Sequence, residues 1–189
     1  MRKRLIGGIL IVFLTIVVQG FSSQGDVGGE FLKPTLKNSP PVPSPSSIAP
    51  LLLSPVVRVV DGDTIVVQIN GVQEKIRLIG VNTPETVDPR RPVECFGKEA
   101  STFTKSLLTD QQIRIESDPS QGDRDKYGRL LRYVFLADGT LVNEEIITEG
   151  YGYEYTYRTH YLYQTEFKKA QKGAQAQKKG LWAEGVCGK

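Results

Sequence analysis

Histidine, cysteine and long apolar runs are what this sequence has least of. A single histidine, His160, stands among 189 residues, which removes chemistries that need several imidazoles. Two cysteines, Cys95 and Cys187, cannot form a four-cysteine zinc site. No GxxxxGK(S/T) or GxGxxG stretch occurs, which argues against nucleotide-driven and dinucleotide chemistry. Charge of one sign is scarce too. The formal excess of +3 is carried by Arg2, Lys3, Arg4, Lys33 and Lys37 against Asp26 and Glu30, leaving residues 55–189 neutral. The basic balance is therefore no sign of an anionic partner, and an anion site must come from locally placed arginines. A hydrophobic share of 39% excludes collagen, a polytopic membrane protein and a fully disordered chain.

What is there begins with a basic start, Arg2-Lys3-Arg4, followed by mostly apolar residues 5–18 and then Gly20, Ser22 and Ser23. That layout reads as a secretory signal peptide over 1–23 and predicts a secreted or extracytoplasmic protein. As a helix the apolar part would measure about 21 Å, short of a hydrocarbon core of about 30 Å. The alternative is an uncleaved anchor tethering the chain to a membrane through residues 5–18. Seven of the eleven prolines fall in 24–55, with several serines and no apolar period through 24–47, so 24–54 reads as an extended linker. The domain then occupies 55–189.

Within it, residues 56–60 and 64–69 are β-branched runs separated by the turn signal Asp61-Gly62, and Asn70-Gly71 marks a second hairpin turn. Residues 75–81 alternate, with Ile76, Leu78 and Gly80 on one face and Lys75, Arg77 and Ile79 on the other. A helix is predicted over 97–108, strands over 112–117 and 130–137, a short helix from Val142 closed by Gly150, and a last helix carrying Tyr163, Phe167, Ala170 and Ala174. The reading is α+β, mainly β: a small closed barrel of five strands with three helices.

Several polar residues stand where a core strand would not want them. Arg77 interrupts an apolar run, and a desolvated guanidinium is costly unless it meets an anion. Arg129 follows Gly128 in Asp125-Lys126-Tyr127-Gly128-Arg129. Two converging arginines suit a phosphodiester, because the planar fork matches phosphate oxygens. Asp63, Asn82 and Thr83 can supply a carboxylate, an amide oxygen and a backbone carbonyl, which select a hard cation such as Ca²⁺ or Mg²⁺. Glu85, just past Pro84, can hold or deprotonate a water. Each piece has a plainer reading. Asp61-Gly62 reads as a hairpin turn and nothing more, and Arg77 and Arg129 can pair with structural carboxylates such as Glu99 or Asp125.

In order and spacing, Val60-Asp61-Gly62-Asp63-Thr64, Arg77-Leu78-Ile79-Gly80-Val81-Asn82-Thr83-Pro84-Glu85 and Asp125-Lys126-Tyr127-Gly128-Arg129 resemble the staphylococcal nuclease (thermonuclease) family. The resemblance runs over about residues 56–182. It implies an OB-fold barrel and Ca²⁺-dependent hydrolysis of DNA and RNA at the 5′ P–O bond, leaving 3′-phosphates. On it, Asp63 and Thr83 match metal ligands, Glu85 the general base, and Arg77 and Arg129 the phosphate-binding arginines. The family archetype has Asp where this chain has Asn82, which removes one negative charge from the cation site and implies weaker or altered metal use.

Six of the eight tyrosines crowd into 151–163. Tyr155 and Tyr157 are the candidates to stack on a base, an interaction worth about 1–3 kcal/mol each; the alternative for this cluster is packing of the barrel against the last helix. An exported domain meets an oxidising compartment, so a Cys95–Cys187 disulfide is expected, with two free thiols as the alternative. A monomer is expected. The rival to a nuclease is a non-catalytic OB-fold module that binds nucleic acid or a protein partner.

Overall fold

Ile65 and Val67 of the second strand and Ile76 and Leu78 of the third point inward, where each is buried to within 1%, and a closed sheet follows from giving those faces a common interior. The structure is a computed structural model and describes residues 52–86 and 92–188. Residues 1–23 and nearly all of the linker lie outside the described residues. The elements are β1 (Ser54–Asp61), β2 (Thr64–Ile69), β3 (Val72–Leu78), β4 (Val81–Asn82), α1 (Gly97–Leu108), β5 (Gln112–Glu116), β6 (Leu130–Phe135), α2 (Val142–Thr148), β7 (Tyr153–Glu154) and α3 (Gln164–Ala176). Single 3-10 turns at Gly180–Trp182 and Val186–Gly188 follow.

β1, β2, β3, β6 and β5 close into a barrel in that order, sealed where Ser54 pairs with Ile113 and Pro55 with Gln112. All pairs are antiparallel except β3 with β6, where Ile76 faces Leu130 and Arg77 faces Leu131. A parallel pair needs a long crossover, and the segment holding α1 and β5 supplies it. Phe167 of α3 and Ile146 and Ile147 of α2, all fully buried, cover the barrel. Burial of each large apolar side chain contributes about 1.5–3 kcal/mol. The fold is thus α+β, mainly β, a five-stranded barrel with three helices in the OB-fold manner.

The third strand departs from the alternation read in the sequence. β3 starts earlier, at Val72, and stops at Leu78. Ile79 and Gly80 turn away, with Gly80 at φ +76°, and Ile79 is buried rather than lying on an outer face with Lys75 and Arg77. The turn wraps the Arg77 guanidinium, whose Nη1 donates to Val81 O at 2.6 Å and Leu78 O at 3.2 Å. Asn143 at the start of α2 is fully buried and fixes this turn: its Nδ2 donates to Ile79 O at 2.9 Å while its Oδ1 accepts from Val134 N at 2.9 Å. The short ribbon of β4 and β7 pairs Val81 with Glu154 and Asn82 with Tyr153, which brings the tyrosine-rich segment beside Arg77. Cys95 and Cys187 are joined by a disulfide, their Cα atoms 5.5 Å apart.

Candidate active site

The β1–β2 hairpin pairs Asp61 with Thr64 and leaves Gly62-Asp63 at its tip. Only glycine fits at 62, because an added Cβ would lie 2.8 Å from Thr83 Oγ1 and 2.9 Å from Thr83 Cβ. The hairpin tip and the chain after β4 therefore touch directly. Asp61 is more than the turn residue the sequence suggested. Its buried carboxylate accepts from Gly62 N at 2.9 Å and Thr86 Oγ1 at 2.7 Å, stapling residues 83–86 to the hairpin. Burial pushes the Asp61 carboxyl above the usual range; bonds from Thr86 and Gly62 oppose this, and the adjoining Glu85 and Asp63 carboxyls add to it.

Asp63 is the hub. Its Oδ2 accepts from Thr83 N at 2.9 Å and lies 3.0 Å from Arg77 Nη2, and its Oδ1 accepts from Thr64 Oγ1 at 2.9 Å. Arg77 sits opposite Thr64 in the β2–β3 ladder, and its Nη2 also donates to Asn82 Oδ1 at 3.1 Å. Burial pulls the Arg77 guanidinium below its ordinary range, Asp63 opposes that, and the neighbouring Arg129 adds to it. A guanidinium remains protonated at any ordinary pH, so two positive groups face one cleft.

Arg129 reaches the same place from another element. Gly128 at φ +77° lets the chain turn so that Tyr127 N and Arg129 N both donate to Asp125 Oδ1, at 2.9 and 3.0 Å. Arg129 Nε donates to Asp125 Oδ2 at 2.6 Å, and Nη1 points to Thr64 Oγ1 at 3.4 Å. Burial would raise the Asp125 carboxyl, but the Arg129 and backbone bonds outweigh it and hold it below the usual range. The structural pairing weighed for the arginines is thus real for Arg129, yet it uses the Nε edge and leaves Nη1 pointing to Thr64 beside Asp63. Arg77 takes Asp63 as its ion-pair partner, with the Asp125 charge a lesser influence on it. Glu85, half-buried, accepts from Thr86 N through Oε1 at 2.9 Å and neighbours the Asp61 carboxyl.

A cleft of about 670 Å³ opens here, lined among others by Arg77, Asn82, Arg129, Tyr155 and Tyr157. The tyrosines fall into an exposed pair and a packed group. Tyr155 and Tyr157 are exposed in the cleft with ring centroids 6.3 Å apart. Tyr151 stacks on Phe103 at 4.0 Å, Tyr161 and Tyr163 pack on Phe167, and Tyr153 stands edge-on to Trp182. Tyr127 and Lys126 also line the cleft. The sequence expectation names neither, and their place inside the Asp125–Arg129 motif is the signal that marks them. His160 is exposed and contacts the Gln164 side chain outside the site.

The donor set suits a hard cation. Asp63 and Asn82 oxygens both lie within hydrogen-bond reach of one Arg77 nitrogen, and Thr83, bonded to Asp63 through its N–H, has its Oγ1 buried without a hydrogen-bond partner among the described residues. Every donor is oxygen, as Ca²⁺ and Mg²⁺ prefer. Among the described residues no group of three or more His, Cys, Asp or Glu could hold a metal, so a cation here would depend on the neutral Asn82 and Thr83 oxygens.

The five-stranded barrel with three helices carries two arginines and a buried aspartate at one mouth, with Glu85 on the adjoining segment. The chain belongs to the staphylococcal nuclease family: the family model described as staphylococcal nuclease homologue matches residues 75–184. It is 40% identical over 181 residues to the thermonuclease of Staphylococcus hyicus, covering 96% of this chain and 99% of that protein. To the thermonuclease of Staphylococcus intermedius it is 39% identical over 95% of this chain and 98% of the relative. To endonuclease YncB of Bacillus subtilis (strain 168) it is 38% identical over 67% of this chain and 60% of the relative. The protein is a nuclease, and its substrate is nucleic acid.

Proposed function

We propose that the chain is a Ca²⁺-dependent nuclease that cuts both DNA and RNA at the 5′ P–O bond and leaves 3′-phosphates. The observation that carries this reading is the meeting of Arg77, Arg129 and Asp63 around Thr64, with Glu85 one short segment away. The outer nitrogens of Arg77 and Arg129 bind the non-bridging oxygens of the scissile phosphate and stabilise the charge that grows there. Asp63, Asn82 Oδ1 and the Thr83 carbonyl hold the cation, which when bound supplies Lewis-acid polarisation of the phosphate. Glu85 takes a proton from the attacking water as the new P–O bond forms. The P–O5′ bond breaks, the 5′ oxygen leaves with the bonding pair and takes a proton from solvent water, Glu85 returns its proton to solvent, and phosphate stays on the 3′ side. Tyr155 and Tyr157 stack on the flanking bases. The enzyme works as a monomer.

Residues 1–23 direct export and 24–54 space the domain from the membrane or from the cleavage point. This is read from the basic start, the short apolar run and the proline-rich stretch. N-terminal sequencing of the secreted protein tests it: a start after residue 18 supports cleavage, and an intact Met1 in the membrane fraction supports the anchor.

Incubating the full chain with DNA and RNA oligonucleotides in Ca²⁺, Mg²⁺ or chelator, and mapping the product ends, tests the activity. Cleavage of both polymers only with Ca²⁺, with 3′-phosphate termini, is expected. Binding without cleavage under every condition would favour the non-catalytic module, and 5′-phosphate products would contradict the proposed bond.

A further inference from the structure

The Glu85 carboxylate is carried by a loop, not by a strand, and something must hold that loop. Thr86 and Asp61 fix it on one side. On the other side Glu94 grips its backbone in both directions. Glu85 N donates to Glu94 Oε2 at 3.0 Å, and Glu94 N donates to Glu85 O at 2.9 Å. The chain beyond Glu94 lies directly on the same segment. A Cβ at Gly97 would come 2.7 Å from Thr86 Cγ2 and 3.1 Å from the carbonyl oxygens of Glu85 and Pro84.

Glu94 adjoins Cys95, and Cys95 is bonded to Cys187 of the last turn, 92 residues away. The turn just before it, Gly180–Trp182, is fastened to the body and is linked to the last turn by Val186 N donating to Ala183 O at 3.2 Å. Leu181 N donates to Gly150 O at 2.9 Å, Leu181 is buried, and Trp182 meets the Tyr153 ring edge-on with centroids 5.5 Å apart. Burial, and then the nearby Glu94 charge, raise the Tyr153 hydroxyl above its ordinary range, which places Glu94 against this same corner. Cys95 and Glu94 are both exposed, so neither is held by burial in the core. A covalent bond does what packing does not.

We propose that the Cys95–Cys187 disulfide and Glu94 together position Glu85 for the cleavage step. This rests on Glu85 being the base. The residues act through Glu85 and touch no substrate themselves. Misplacing a reacting group by about 1 Å can cost about a hundredfold in rate, so the role shows in kcat and not in KM.

The test compares the full chain with E94A, E94Q, C95A/C187A, E85Q and the triple variant E85Q/C95A/C187A on a single-stranded DNA oligonucleotide with Ca²⁺. Circular dichroism confirms the fold at assay temperature. E94A and C95A/C187A are expected to lose about tenfold or more in kcat with KM within about twofold. E94Q keeps an oxygen for the Glu85 N–H and restores most of the rate, which a general loss of stability would not allow. Removing the disulfide from E85Q should change nothing further. Should C95A/C187A fail to fold, E94A, with its bridge intact, carries the test. A dead E85Q beside E94A and C95A/C187A variants that keep wild-type kcat, or lose only in KM, overturns this inference alone. An E85Q enzyme that cuts like wild type overturns the base assignment and this inference with it.

Discussion

The Arg77 guanidinium and the Asp63 carboxylate meet at 3.0 Å in the mouth of the barrel, both largely shielded from water, and the same Arg77 nitrogen reaches Asn82 Oδ1 at 3.1 Å. Two charges out of water are tolerated when each satisfies the other and further bonds complete them. Here Thr83 N, Thr64 Oγ1 and the Val81 carbonyl complete them. The pair thus joins the hairpin tip to the loop that carries Glu85.

Arg77→Lys keeps a positive charge beside Asp63 but loses the fork that serves Asp63, Asn82 and Val81 at once. Activity should fall by about 10²–10³ in kcat. The urea midpoint should move far less than for Arg77→Ala, which leaves Asp63 buried and uncompensated at a cost of about 3–5 kcal/mol. Steady-state cleavage and urea titration of the two variants check this.

Asn82→Asp adds a carboxylate beside Asp63 and Thr83. A second negative charge strengthens an all-oxygen cation site, so the Ca²⁺ concentration for half-maximal cleavage should fall by about tenfold, near 1.4 kcal/mol of binding. Calorimetric Ca²⁺ titration gives an independent readout. An unchanged or weaker Ca²⁺ affinity would place the cation elsewhere.

Gly62→Ala changes no functional group. Its Cβ would press on Thr83 at 2.8–2.9 Å and push the hairpin tip from the loop. Strain of about 1–3 kcal/mol is expected, together with loss of Ca²⁺ affinity through Thr83. Thermal melting and Ca²⁺ titration read the two effects separately.

Asp118, outside the site, is expected to contribute to stability that falls away in acid. Burial would raise its carboxyl, but bonds from Leu162 N, Tyr133 Oη and Ser120 outweigh burial and hold it below its ordinary value of 3.8. A depressed folded-state value means the stabilisation is present above that ordinary value and is lost as pH falls through the folded one. Asp118→Asn should therefore cost about 1–3 kcal/mol at neutral pH, with the gap from wild type closing below about pH 4. Urea unfolding at pH 7 and pH 3 measures it.

Much of this was legible in the sequence because local pattern and final environment agree. The β-branched run 64–69 forms β2, whose first four residues are buried on both faces, and the helical spacing of Ala100, Phe103, Leu107 and Leu108 marks α1, where Ala100 and Leu108 are buried and Phe103 and Leu107 partly so. The polar residues that seemed misplaced in a core, Arg77 and Asp63, are those brought together at the mouth. What was not legible depends on contacts distant in sequence. β4 and β7 have two residues each, too few to show a period, and exist because Val81 meets Glu154 and Asn82 meets Tyr153. The end of β3 at Leu78 is set by the Arg77 guanidinium drawing Val81 O back towards it, which alternation cannot encode. Asp61 looked like a turn residue because its partner Thr86 lies 25 positions away. Glu94, in a stretch without period or motif, gave no sign of gripping Glu85.

Single-turnover cleavage of one DNA oligonucleotide by Arg77→Ala, Glu85→Gln and Arg129→Ala, each at saturating Ca²⁺, tests most directly whether these three groups act on one phosphate. The account predicts that each variant folds, binds the oligonucleotide and cuts at least about 10²-fold more slowly than wild type. Three variants that cut at the wild-type rate would contradict it.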